Sequence, residues 1–204
     1  MIRRALGHAA AAIGVGALAV LAAAPAGAAP ETITWNNNTS QYTRTISNAT
    51  PAVGDTITVT TTFNRLQAGD ETIHWLKDWH PACLTYVTDS AKLTDAAGDH
   101  AVEPYLEIGS DFIAGDFTAT SYRMVMKHGG PASTFSARYT VGSCATGTAL
   151  QTGMEYLSNL GHVDFAAKGP AITVGGTPGP GGGTGSSSGS GILDSLLNGA
   201  GSGS

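Results

Sequence analysis

The chain has 204 residues, of which 12% are charged and 42% hydrophobic, with a formal net charge of −5 and a pI near 5.6. That balance excludes the basic stripe a nucleic-acid partner needs and the polybasic segment that would hold anionic lipid. With so few charges, the outer surface is expected to be covered by Thr, Ser, Asn and Gly.

Residues 1–28 have the three parts of a secretory signal peptide. Arg3 and Arg4 supply positive charge, Ala9 to Ala24 is apolar, and Pro25-Ala26-Gly27-Ala28 is a small-residue cleavage site. The apolar run is short for a spanning helix. The reading is therefore export, with a cut before Ala29 and no transmembrane segment in the mature chain. The expected location is secreted or extracellular, with cell-wall association open.

Residues 29–174 read as one all-β domain, a β-sandwich or barrel. Short candidate strands recur with turn residues between them. Thr32–Trp35 and Gln41–Ser47 flank the polar cluster Asn36–Ser40. The clearest strand is Thr56–Phe63, entered through Pro51-Ala52-Val53-Gly54-Asp55. Ile57, Val59 and Phe63 fall on one side and Thr56, Thr58, Thr60 and Thr62 on the other, which predicts one buried and one wet face. Glu71–Trp79, Leu84–Val87, Lys92–Thr94 and Tyr122–Lys127 follow. Beyond the Gly129-Gly130-Pro131 break, Thr134–Val141 alternates, with Phe135, Ala137, Tyr139 and Val141 expected in the core and Arg138 outside. Thr148–Tyr156, His162–Phe165 and Ala171–Val174 complete the predicted sheets.

Cys83 and Cys144 are the two cysteines. In an exported chain an even pair predicts one disulfide. It would close a loop of about 60 residues, with an entropic stabilisation of about 4 kcal/mol. Neither a C-x-x-C pair nor a nearby third sulfur supports a metal or redox role.

From residue 175 the composition changes. Residues 175–191 contain only Gly, Ser, Thr and Pro, the make-up of a disordered, flexible linker. Residues 192–204 carry Ile192, Leu193, Leu196 and Leu197, one apolar face of a two-turn helix. Such a segment is too short to be stable alone in water, so it either stays disordered or docks on a partner.

Several segments resemble a known family. Asn48-Ala49-Thr50-Pro51-Ala52-Val53-Gly54-Asp55-Thr56-Ile57-Thr58-Val59 resembles the first strand of the conserved surface-repeat domains of unknown function in bacterial surface proteins. Trp75 to Val87, Ser90 to Gly98 and Tyr139 to Thr148 are similar to secreted Ig-like domain proteins of actinobacteria. The resemblance spans roughly residues 31–174 and implies an Ig-like sandwich in a secreted or envelope protein. It brings no catalytic residues with it.

The chemistry-bearing candidates are few. His74, Asp78 and His80 are ligand types that zinc or copper prefers. On a straight strand the two histidines stand about 20 Å apart, so they read as surface histidines and no metal site is expected. Glu103, Glu107, Asp111 and Asp116 lack the alternation of a calcium loop and read as a solvated acidic loop. Asn37, Asn38 and Asn48 begin glycosylation sequons that mark polar loops. No Gly-x-Ser-x-Gly elbow appears.

Trp75 and Trp79 remain, either as an exposed aromatic strip for a binding contact or as core packing around the disulfide. The expected function is a non-catalytic secreted or envelope-associated module making adhesive contact with an envelope protein or glycan, without a cofactor. The alternative is a carbohydrate-active accessory or hydrolytic domain using the aromatic strip.

Overall fold

A computed structural model describes residues 29–175. The expected signal peptide, nearly all of the linker and the tail segment with Ile192, Leu193, Leu196 and Leu197 lie outside the described residues.

Fifteen short strands make up the domain: β1 (Glu31–Asn36), β2 (Ser40–Ile46), β3 (Thr56–Arg65), β4 (Glu71–Trp79), β5 (Leu84–Tyr86), β6 (Lys92–Asp95), β7 (Gly98–Ala101), β8 (Leu106–Ile108), β9 (Phe112–Asp116), β10 (Met124–Met126), β11 (Ser133–Val141), β12 (Ala149–Leu150), β13 (Gly153–Ser158), β14 (Gly161–Phe165) and β15 (Ile172–Thr173). One sheet has the order β1-β2-β3-β11-β6-β7, with β5 also paired to β11. A second has the order β14-β13-β4-β9-β8, with β10 paired to β4, and β12 and β15 form a separate two-stranded sheet. All pairings are antiparallel. The adjacency β2-β3-β11-β6 facing β14-β13-β4 is the four-plus-three arrangement of an immunoglobulin-type sandwich, with extra strands at the edges.

Alternation produces the core as expected. Ile57, Val59 and Phe63 of β3 and Phe135, Ala137, Tyr139 and Val141 of β11 are buried, while Arg138 is exposed. Tyr42, Phe63, Tyr156 and Phe165 interlock with ring centroids 5.0–6.1 Å apart, where such pairs add about 0.5–1.5 kcal/mol beyond burial. Trp35 closes this cluster from the edge, 5.6 Å from Tyr42 and from Phe165.

The sandwich interior is not wholly apolar. Arg44 of β2 reaches Asp78 of β4 at 2.5 Å, both essentially sealed from solvent. Asp78 also accepts from the Tyr139 hydroxyl, and Arg44 donates to Thr61 at 2.7 Å. A second bridge joins Arg65 of β3 to Glu71 of β4 at 3.2 Å. Glu71 further accepts from Ser40, Tyr156 and Ser158 at 2.8–3.2 Å. Each arginine comes from one sheet and each carboxylate from the other, so the two ion pairs fasten the sheets together through charge-assisted bonds.

Cys83 and Cys144 form a disulfide with Cα atoms 5.2 Å apart. It ties the turn between β4 and β5 to the segment after β11. Gly142 sits against this turn, where a Cβ would come within 2.6 Å of the Cys83 carbonyl.

The structure departs from the sequence expectations in four places. The acidic stretch is not a loop: Glu107 lies on β8 and Asp116 ends β9, the two strands of a hairpin. Strand β7, in the run Gly98-Asp99-His100-Ala101, was not anticipated. The single strand expected over Thr148–Tyr156 is two, β12 and β13, belonging to different sheets. His80 is not a surface histidine: it is 5% exposed, with its ring 4.6 Å from that of Tyr139.

Candidate functional site

Strand β4 sits between β13 and β9 in the second sheet, and a bulge sets which of its side chains reach solvent. Leu157 pairs with Trp75 and Ser158 with Ile73, leaving His74 unopposed. The extra residue resets the alternation. Glu71 and Ile73 point inward before it, and Leu76 and Asp78 point inward after it. Trp75, Lys77 and Trp79 are thereby carried to the outer face, each half-buried. The tryptophans do not pack around the disulfide. The expected His74–Asp78–His80 face is split as well, because Asp78 and His80 are buried while His74 is the bulge residue. Among the described residues no group of three His, Cys, Asp or Glu side chains could hold a metal ion.

The outer face is built from cross-strand rows. One row runs Asp164, Glu155, Lys77, Ala114, Glu107 across β14, β13, β4, β9 and β8. The next row runs His162, Leu157, Trp75, Asp116. Trp79 is fixed by its indole N–H, which donates to Glu155 Oε2 at 3.0 Å, while Glu155 Oε1 lies 3.1 Å from His162 Nε2. The Lys77 ammonium lies 4.8 Å from the Trp79 ring centroid and 4.3 Å from that of Phe112, a cation–π arrangement on the side away from Trp75.

Small residues on β9 make a depression of about 320 Å³. Ala114 and Gly115 form its floor, Trp75 and Lys77 one wall, and Tyr105 and Glu107 the other, with Asp116 beside Trp75. The Asp116 carboxyl is held below the usual carboxylate range, first by the Thr118 hydroxyl and backbone N–H, both donating to Oδ1. Among the described residues, no side chain donates to Asp116 Oδ2 or to either oxygen of Glu107, and neither carboxylate has an ion-pair partner within 4.0 Å.

Of the residues singled out in the sequence, the structure brings together Trp75, Glu107 and Asp116, with Trp79 one row away. It leaves Glu103 apart, bonded to the Tyr86 hydroxyl. Asp111 instead offers its backbone carbonyl to the His80 N–H at 2.9 Å. Tyr105 and Ala114 carried no signal in the sequence, since one sits in a single 3₁₀ turn and the other is a small residue in a strand that was not foreseen.

No family model matches the chain, and no curated protein matches it. Among solved structures it is similar to a protein of Corynebacterium diphtheriae described as membrane-anchored, at 16% identity and a TM-score of 0.47, covering 71% of this chain. The chain spans 38% of that protein's length. It is also similar to the collagen-binding domain of the Erysipelothrix rhusiopathiae surface protein RspB, at 10% identity and a TM-score of 0.30, covering 66% of this chain and 62% of that one. A third likeness is to AvmM, which catalyses macrocyclization in alchivemycin A biosynthesis, at 11% identity and a TM-score of 0.33, covering 68% of this chain and 85% of that one. At these identities and scores none of the three assigns a family or a function, and the actinobacterial resemblance stays an expectation.

Proposed function

We propose that this chain is an exported, non-catalytic β-sandwich module of the bacterial surface that binds an envelope protein or glycan through the outer face of its second sheet. The observation that carries the reading is the placement of Trp75, Lys77 and Trp79. They stand half-exposed in one outward series on a strand whose inner side is fully packed. Tryptophan is costly to leave in water and common at contact hot spots. The bulge at His74 shifts the alternation so that these three side chains face outward. A disulfide between the only two cysteines suits an oxidising compartment.

The hydrolytic alternative draws on Glu107 and Asp116 lining one depression. A general acid needs a raised carboxyl pKa, so Asp116, which is shifted the other way, does not suit that one role.

The test is retention of purified full chain on a native cell-wall fraction. The doubly substituted Trp75→Ala/Trp79→Ala protein should keep its fold by circular dichroism and lose most of its retention. Retention equal to that of the unaltered chain would end this reading.

A further inference from the structure

The depression between β4 and β8 has a chemistry more specific than an aromatic contact. Two aromatic side chains, Trp75 and Tyr105, stand on opposite walls over the Ala114 floor. Two carboxylates, Glu107 and Asp116, line the same space; Thr118 takes Asp116 Oδ1, while Asp116 Oδ2 and both Glu107 oxygens accept from no described side chain. The local fixed cation, Lys77, lines the depression too, with its ammonium over the Trp79 and Phe112 rings and in no ion pair with either carboxylate. His74, on the bulge, is the other basic group close enough to act on Asp116.

Aromatic faces are electron-rich and attract cations. Unpaired carboxylates reinforce that attraction and disfavour an anionic or phosphorylated ligand. The absence of bulk at Ala114 leaves room for an alkyl stem lying across β9. Extending the proposed contact function, on which this inference rests, we propose that the depression is a specific pocket for a lysine or arginine side chain presented by a protein partner. The alkyl stem would lie on Trp75 and Tyr105, and the charged head would bond Glu107 and Asp116.

The Trp75 indole resonance in a ¹⁵N correlation spectrum of the full exported chain reports on the site directly. The probe is the peptide acetyl-Gly-Lys-Gly-amide, compared with the same peptide carrying an Nε-acetylated lysine and with tri-N-acetylchitotriose as a neutral sugar. The lysine peptide is expected to shift the Trp75 signal saturably, and the acetylated peptide is not. Glu107→Gln/Asp116→Asn should weaken the lysine peptide about tenfold, the combined effect of two exposed charge pairs, and raised salt should weaken it further. Ala114→Leu, which fills the floor and leaves both charges, should abolish the shift.

A cationic peptide that leaves Trp75 unmoved overturns the pocket assignment, as does one that moves it no more than its acetylated form. So does a neutral sugar that binds equally well to the Glu107→Gln/Asp116→Asn protein. If wall retention still depends on Trp75 and Trp79 in any of those cases, the contact face stands and only the ligand class falls. If retention is indifferent to the tryptophans, the functional reading itself falls.

Discussion

The second sheet places carboxylates on both of its faces, and two on the outer face, Glu107 and Asp116, are treated unlike those on the inner one. On the inner face, Glu71 and Asp78 are each 2% exposed, and each meets an arginine from the opposite sheet. Hydroxyl groups of Tyr139, Tyr156, Ser40 and Ser158 use their remaining acceptor capacity. On the outer face, Glu107 and Asp116 have aromatic neighbours but no ion-pair partner among the described residues. Inner carboxylates are answered within the molecule and have nothing left to offer a ligand. Their removal should therefore show in stability, while removal of the outer ones should show in binding.

The strongest way to break this contrast is Asp78→Ala. It leaves the Arg44 guanidinium buried without its counter-charge, and the expected loss is about 3–5 kcal/mol in urea denaturation. Replacing the pair together, as Arg44→Met/Asp78→Leu, should restore much of that loss, because the penalty lies in the unpaired charge. A loss under about 1 kcal/mol for Asp78→Ala would mean that water reaches Arg44 and that the inner face is not sealed.

The disulfide provides a loss of stability that involves neither face. Cys83→Ala/Cys144→Ala should cost about 2–5 kcal/mol without moving the Trp75 resonance. A shifted Trp75 signal would show that the outer face depends on the cross-link.

Alkaline titration sharpens the contrast further. Tyr139 is raised well above the ordinary phenol value, first by burial and then by the charge of Asp78. Tyr156 and Tyr42 are raised mainly by burial. A group raised in the folded state contributes its full stability below the unfolded pKa, near 10 for tyrosine, and loses it as pH climbs toward the folded value. Above about pH 10 each withheld phenol should therefore erode stability by about 1.4 kcal/mol per pH unit. Absorbance of phenolate should show these three tyrosines ionising only as the protein unfolds. Six tyrosines titrating together near pH 10 with the fold intact would contradict the sealed interior.

The smallest expected effect belongs to the outer face. Glu107→Gln and Asp116→Asn should each change stability by less than about 0.5 kcal/mol, read from the same denaturation curves. A larger loss would make them structural residues.

How much of this the sequence disclosed follows from the same contrast. Strands with β-branched and aromatic alternation, such as β3 and β11, are legible because burial enforces a period of two. Strands β7, β8 and β9 are short, carry acidic residues and, in β7 and β9, Gly, and lie toward or at a sheet edge, so local preference argues against them while pairing overrides it. The buried charges of Arg44, Arg65, Glu71 and Asp78 were invisible, because a charged residue in a strand ordinarily faces water. The outward tryptophans were legible as a strip but not as to their environment. That environment depends on a bulge at His74 and on the foreign strands β8 and β9, neither of which has a local signature.

The disulfide also has a mechanical consequence. Cys83 and Cys144 are 61 positions apart, and they close a covalent ring that contains Tyr105, Glu107, Ala114 and Asp116. Were the domain pulled from residues on either side of this ring, the enclosed segment could not be drawn out. The fully stretched molecule would be shorter by roughly 200 Å than its reduced form, at about 3.3–3.6 Å per residue. One wall and the floor of the depression would thus resist extension under load, so a contact made there would keep half of its binding surface connected when the surrounding sheets yield.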